Sequence, residues 1–134
     1  MSKNLMLVSL LAVVLLTSCQ TFREKNDQTK LHKLLKVYEK NLRWGSLSDI
    51  YNFLDPDLRK QTSVPEELEN VKVTKVRRLT PVVPINETSV TLKISIDYVF
   101  EDELVERTLV DEQVWEQQDE ARGWFRANPI PRFE

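Results

Sequence analysis

The spacing of hydrophobic residues changes character along the chain, and each change predicts a different element. After Lys3 an uncharged stretch runs from Leu5 to Leu16, and residues 20–28 are then polar apart from Phe22. From Leu31 the period becomes helical: Leu31, Leu34, Leu35, Tyr38 and Leu42 fall at i, i+3, i+4, i+7 and i+11, one apolar stripe with Lys and Glu on much of the other side. Trp44-Gly45 ends this helix, with Gly45 expected in the left-handed position that favours glycine. Ser46 and Asp49 have the spacing of a capping box for a second helix. Leu47, Ile50, Tyr51 and Leu54 supply its buried side, and Asp55-Pro56 stops it.

Beyond Pro65 a short helical turn is expected over Glu66 to Asn70, and then the period falls to two. Val71 and Val73 alternate with Lys72 and Thr74, but Val76 is out of phase, as a β-bulge would make it. Pro81 and Pro84 break the continuation or confine it to a sheet edge. Val90 to Phe100 is the clearest strand, with Val90, Leu92, Ile94, Ile96, Tyr98 and Phe100 alternating against Thr91, Lys93, Ser95 and Asp97. Glu101 to Glu103 form a turn. Leu104 to Gln117 reads as the next strand, with a second phase slip at Val110-Asp111. Asp119 to Gly123 is a turn, and Trp124 to Ala127 is a last short strand, ended by Pro129 and Pro131. Val114-Trp115 and Trp124-Phe125 are then expected on neighbouring antiparallel strands, with Gly123 at positive φ.

Helices followed by hairpin-linked strands define an α+β fold. The alternation in Val90 to Phe100 implies one covered and one wet sheet face. Bulges in two long strands imply strong curvature, so the N-terminal helices are expected in the concave face of a strongly curved antiparallel sheet, a cone. The expected core is Leu31, Leu34, Leu35, Tyr38 and Leu42 with Ile50 and Leu54, facing Leu92, Ile94 and Ile96.

A basic residue, an apolar segment and a small-residue cut site make a secretory signal. The segment is shorter than the roughly 20 residues a membrane span needs. The run Leu16-Thr17-Ser18-Cys19 resembles the lipobox of bacterial lipoproteins. That resemblance implies removal of residues 1–18 as a signal peptide, and acylation of Cys19 on its thiol and its new amine. Residues 19–28 become a lipidated N-terminus and tether, and 29–134 the folded domain. Gln20 stands where inner-membrane lipoproteins of many Gram-negative bacteria carry Asp, which implies the outer membrane, periplasmic face.

About 116 residues then remain, enough for one domain. Lys and Arg total 19 against 21 Asp and Glu, without the clustered basic excess of a nucleic-acid binder. Arg77-Arg78 and Glu101 to Glu103 read as solvated faces. Cys19 is the sole cysteine; with lipid on it, no disulfide, thiol nucleophile or cysteine metal site remains.

The order helix, helix, short helix, bent strands is similar to the NTF2-like (cystatin-like α+β) superfamily. Tyr38 to Trp44, the stretch Pro65-Glu66-Glu67-Leu68 leading into Val71 to Thr74, and the hairpin of Asp111 to Trp115 with Gly123-Trp124-Phe125 and Pro129 carry the resemblance. It covers about residues 29–134 and resembles small proteobacterial lipoproteins. Its members include isomerases, dehydratases, cyclases, ligand binders and interaction modules, so fold alone does not assign an activity.

Enzymes of that superfamily place Asp or His with Tyr inside the cone. Here His32, the sole histidine, lies at the edge of the helical stripe, the position of a solvated side chain. Asp97 falls on the face away from the apolar one, as a solvated strand carboxylate. Asp55 and Asp57 around Pro56 suit a turn and a cap. Tyr38, Tyr51, Tyr98, Trp115 and Trp124 are the candidate pocket residues, since aromatics with polar tips suit ligand clefts, although they suit core packing as well. Asn86-Glu87-Thr88 reads as a β-turn. No catalytic, cofactor or metal set emerges. The expected function is a lipid-anchored, periplasm-facing module binding a protein or a small apolar ligand. The alternatives are a small isomerase- or cyclase-type enzyme and an accessory subunit of an envelope assembly machine.

Overall fold

The computed structural model describes residues 25–119 and 122–134. The expected signal peptide, Cys19 and Gln20 lie outside the described residues. Internal contacts divide the chain into two compact units, Met1–Lys33 and Leu34–Glu134. In the first, residues 25–33 are helical, including 25–28 of the expected tether, with Leu31 buried and His32 exposed.

Helix α1 covers residues 25–44. In the second unit its Leu35, Tyr38 and Leu42 are buried as their spacing requires, whereas Leu34 is only half-buried. Gly45 ends α1 through close approach and not through a left-handed backbone, which among the described glycines only Gly123 adopts. Its N–H donates to Asn41 O at 2.9 Å, and a Cβ would stand 3.0 Å from that same oxygen.

The expected second helix is a tighter 3-10 segment, Leu47–Phe53. Its capping box does not form: the Ser46 hydroxyl pairs with that of Ser48 at 2.7 Å and caps no backbone N–H. Three residues per turn still carry Leu47, Ile50 and Tyr51 into the interior. Asp55 then caps a short helix that the periodicity does not announce, α2 (Pro56–Gln61), accepting from the N–H groups of Asp57 and Leu58. A second 3-10 segment, Glu66–Asn70, leads into the sheet.

The sheet is antiparallel and five-stranded: β1 (Val71–Arg78), β2 (Val83–Pro84), β3 (Ser89–Phe100), β4 (Glu106–Gln117) and β5 (Trp124–Arg126), in the order β1-β3-β4-β5 with β2 also on β3. The expected bulge in β1 is present: the register with β3 shifts between Val73 and Lys75, leaving Thr74 as the extra residue. Val76 thereby rejoins the face of its partner Ile96. Pro81 interrupts that edge, and β2 resumes it opposite Thr91 and Val90.

Two expectations fail on β3 and β4. The β3–β4 register is unbroken from Ser89↔Glu116 to Val99↔Glu106, so β4 has no bulge. Its phase slip is chemical, because Asp111 and Gln113 occupy buried positions on the phase of Leu109 and Trp115. Nor is the outer face of β3 uniformly wet, since Ser95 and Asp97 are buried. As the central strand, β3 has its short outer side chains overlaid from both flanks: Arg77 of β1 bonds Ser95 and Asp97, and Thr108 of β4 donates to Asp97 at 2.8 Å. Arg77 and Arg78 are likewise ion-paired, with Asp97 at 3.2 Å and Glu39 at 2.6 Å. No helix among the described residues is long and apolar enough to cross a membrane.

Candidate functional site

The most unusual chemistry lies inside the second unit. Asp111 and Gln113 enter the interior from β4 beside Trp115, and Arg126 enters from β5, whose backbone pairs with Trp115. The guanidinium fork meets the Asp111 carboxylate twice, at 2.6 and 2.8 Å. Arg126 Nη1 also donates to the Tyr38 hydroxyl at 2.8 Å, Nη2 to Pro129 O at 2.9 Å and Nε to Asn128 O at 3.1 Å. A guanidinium carries five N–H donors, and here each has an acceptor.

The network continues along β4. Gln113 Nε2 donates to Asp111 Oδ2 at 2.9 Å, and Trp115 Nε1 donates to Gln113 Oε1 at 2.9 Å. Edge-on aromatic contacts close the space around it: Tyr38 and Trp115 have ring centroids 5.3 Å apart, as do Tyr38 and Phe53. The backbone of Arg126 is engaged too, its carbonyl accepting from Asp55 N–H at 2.8 Å. One residue, through side chain and backbone, thus ties α1, the Leu54-Asp55 turn, β4, β5 and the segment after β5.

Burial and charge act together on two groups of the network. Burial opposes the charge on Arg126, but the hydrogen bonds and charge of Asp111, with Tyr38, outweigh it and raise its pKa. Burial also lifts the Tyr38 phenol well above its ordinary range, against the pull of Arg126. The arrangement offers a locked cation and a neutral phenol.

The structure separates the five candidate pocket residues. Tyr38 and Trp115 share the cluster above. Tyr51 is buried in the Leu47–Phe53 segment, its phenol pKa raised by burial and then by the nearby Glu67. Tyr98 lies toward the far end of β3, edge-on to Phe133 at 5.0 Å and to Phe100 at 5.9 Å. Its hydroxyl donates to Glu134 O at 2.5 Å and accepts from Glu134 N–H at 3.0 Å. Trp124 pairs with Gln117 across the hairpin, and its indole N–H is buried with no partner among the described residues. Asp97 is held by Arg77 and Thr108, a correction to its reading as a solvated carboxylate. Asp55 caps α2 as expected, and its other oxygen meets Gln118. Asn86 makes the expected turn, accepting from Thr88 N–H at 2.9 Å. No set of three or more potential metal ligands occurs among the described residues.

Sequence reasoning missed Asp111, Gln113 and Arg126. A signal was present, since Leu109 and Trp115 define the inward phase and two strong hydrogen-bonding residues sit between them on it. Buried charge on a strand demands a partner, and Arg126 is the cation on the strand that the hairpin brings alongside.

Outside the interior, grooves flank the end of α1. One of about 410 Å³ runs between α1 and β1, lined by Lys36, Glu39, Lys40, Arg43, Trp44 and Thr74 to Val76. Another, of about 390 Å³, shares Arg43 and Trp44 and is also lined by Leu47, Val71 to Val73 and Glu101. Trp44 is 73% exposed, with the Arg43 guanidinium 4.0 Å above its ring. No protein-family model, no curated protein and no solved structure matches the chain.

Proposed function

We infer that this protein is a lipid-anchored lipoprotein whose folded domain is a non-catalytic interaction module. The observation that carries the non-catalytic reading is the interior network. Its buried polar groups bond to one another, and Tyr38, Trp115 and Phe53 pack around them where an enzyme of this architecture would hold substrate. The anchoring reading rests on the Leu16 to Cys19 motif. Gln20 extends it to the periplasmic face of an outer membrane in a Gram-negative source.

The fold is read as NTF2-like, with the N-terminal helix and 3-10 segments against a curved sheet. Their order ahead of the strands, the β1 bulge and the closing hairpin support that reading. Acyl chains on Cys19 would confine the domain to a membrane surface, each buried methylene contributing about 0.8 kcal/mol, and leave its outer surface for a partner.

Two measurements test this. Mass spectrometry of the mature chain should find an acylated Cys19 at its N-terminus, and Cys19→Ser should release the protein from membranes. An unmodified mature chain, or one starting elsewhere, overturns the anchor. Photo-crosslinkers at exposed positions, scanned in envelopes with Cys19 intact, should give discrete protein adducts from one face. Adducts from no face, together with a turnover abolished by Tyr38→Phe while that variant remains folded, would make the protein an enzyme.

A further inference from the structure

We propose that the groove between α1 and β1 docks an extended acidic segment of a partner protein, with an apolar side chain of that segment stacked on Trp44. This rests on the interaction-module reading and adds the face and the chemistry of the partner. Lys36, Lys40, Arg43 and Lys75 line the groove against a single carboxylate, Glu39. That carboxylate is already bonded to Arg78 at 2.6 Å, and Lys36, Lys40 and Lys75 make no ion pair among the described residues. In a chain whose acidic residues outnumber its basic ones, such a local excess favours an anionic occupant.

Spacing favours a polypeptide over other anions. Lys36, Lys40 and Arg43 lie on one side of α1 and climb it in steps of about 6 and 4.5 Å. Carboxylates two residues apart on an extended chain recur about every 6.7 Å on one side, so alternate acidic residues can meet successive basic ones. The groove is shallow and open, and it shares Arg43 and Trp44 with its neighbour, which adds Lys72 and Glu101; a strand-like segment crossing Trp44 would touch both. Arg43 is held in place, its Nη1 donating to Val73 O at 3.0 Å while it covers one face of the indole. The rest of this exposed ring offers an apolar platform.

An edge of β1 borders the groove, because among the described residues β1 pairs with β3 alone. Strand addition there is opposed by the Thr74 bulge and Lys75, devices that guard a sheet edge, and by Arg43 on Val73 O. The segment is therefore recognised through its side chains.

The test uses the full chain and a fluorescent synthetic peptide alternating glutamate and valine around one phenylalanine, followed by anisotropy. Saturable binding is expected. It should weaken roughly tenfold or more on combining Lys40→Glu with Lys75→Glu, weaken on Trp44→Ala, and fade as salt rises. All three positions are at the surface, and an unchanged urea midpoint confirms folding; Val110→Ala, an exposed change elsewhere, should bind normally. No saturable binding, equal binding of a peptide with lysine in place of glutamate, or unaltered affinity in the variants overturns the proposal. So does binding to phosphatidylglycerol-containing vesicles, lost in the same variants, when the peptide does not bind. Crosslinked adducts confined to another face would remove the groove while leaving the interaction-module reading standing.

Discussion

The carboxylate of Asp111 receives both terminal nitrogens of Arg126, at 2.6 and 2.8 Å, with neither side chain more than 1% exposed. Removing two charges from water is costly, and the return depends on geometry and on satisfying every remaining donor. Here the remaining donors reach Tyr38, Asn128 and Pro129, so the pair joins elements distant in sequence into one arrangement.

Breaking one half should be severe. Asp111→Asn leaves Arg126 buried and uncompensated and is expected to cost about 3–5 kcal/mol, read as a lower urea midpoint. Combining Asp111→Leu with Arg126→Met removes both charges and should cost much less than the sum of the single changes. Additive effects would mean that the two side chains do not act as a pair.

Much of this architecture is legible in the sequence wherever it is set locally. The alternation of Val90 to Phe100, the slip at Val76 and the Gly123 turn each involve neighbouring residues, and strand, bulge and positive φ all appear where they point. The interior network is not local: Arg126 meets a carboxylate 15 residues away and a phenol 88 residues away. Read along β4 alone, Asp111 and Gln113 look like a break in phase. Residues 47–53 keep a helical period but tighten into a 3-10 segment, a distinction that spacing over two turns does not resolve. The groove beside Trp44 exists only once α1 lies along β1.

Alkaline pH should weaken the fold through the buried phenols. Tyr38 and Tyr51 both have raised pKa values, burial being the main cause. Above about pH 10, the ordinary tyrosine value, the unfolded chain loses phenolic protons that the folded chain retains. The unfolded state then binds fewer protons, so stability falls as pH rises. For each phenol that stays protonated only when folded, the slope approaches about 1.4 kcal/mol per pH unit. Tyr38→Phe should flatten that fall, at a cost near neutrality of about 1 kcal/mol from the lost bond to Arg126. An unchanged alkaline slope in the variant would remove Tyr38 as its source.

The two glycines should respond in opposite ways to the same substitutions. Gly123 has φ near 80° and nothing within 4 Å of an added Cβ. Gly123→Ala is therefore a purely conformational change costing roughly 1–2 kcal/mol, and Gly123→Asn should cost less because Asn tolerates that region. At Gly45 the backbone is ordinary and the space is lacking, with Asn41 backbone atoms at 3.0 and 3.1 Å from the Cβ position. Gly45→Asn should therefore be no milder than Gly45→Ala. Midpoints from thermal or urea melts of the four variants settle this; a milder effect of Asn at both sites would deny the steric role of Gly45.

The segment after β5 should unfold with the domain and not by itself. Arg126 binds Asn128 O and Pro129 O, which fixes where the segment starts. Ile130 and Phe133 are buried, and the Phe133 ring meets Tyr98 edge-on at 5.0 Å. Tyr98→Phe keeps that ring contact but removes the hydroxyl that bonds Glu134 through both its N–H and its carbonyl, a loss of about 1–2 kcal/mol. Phe133→Ala removes burial as well and should cost about 3–5 kcal/mol. Both losses should appear in the global urea midpoint, and amides of β3 near Tyr98 should exchange faster in step with it. A midpoint that stays fixed while protection is lost only around residues 130–134 would show that this segment opens independently of the sheet.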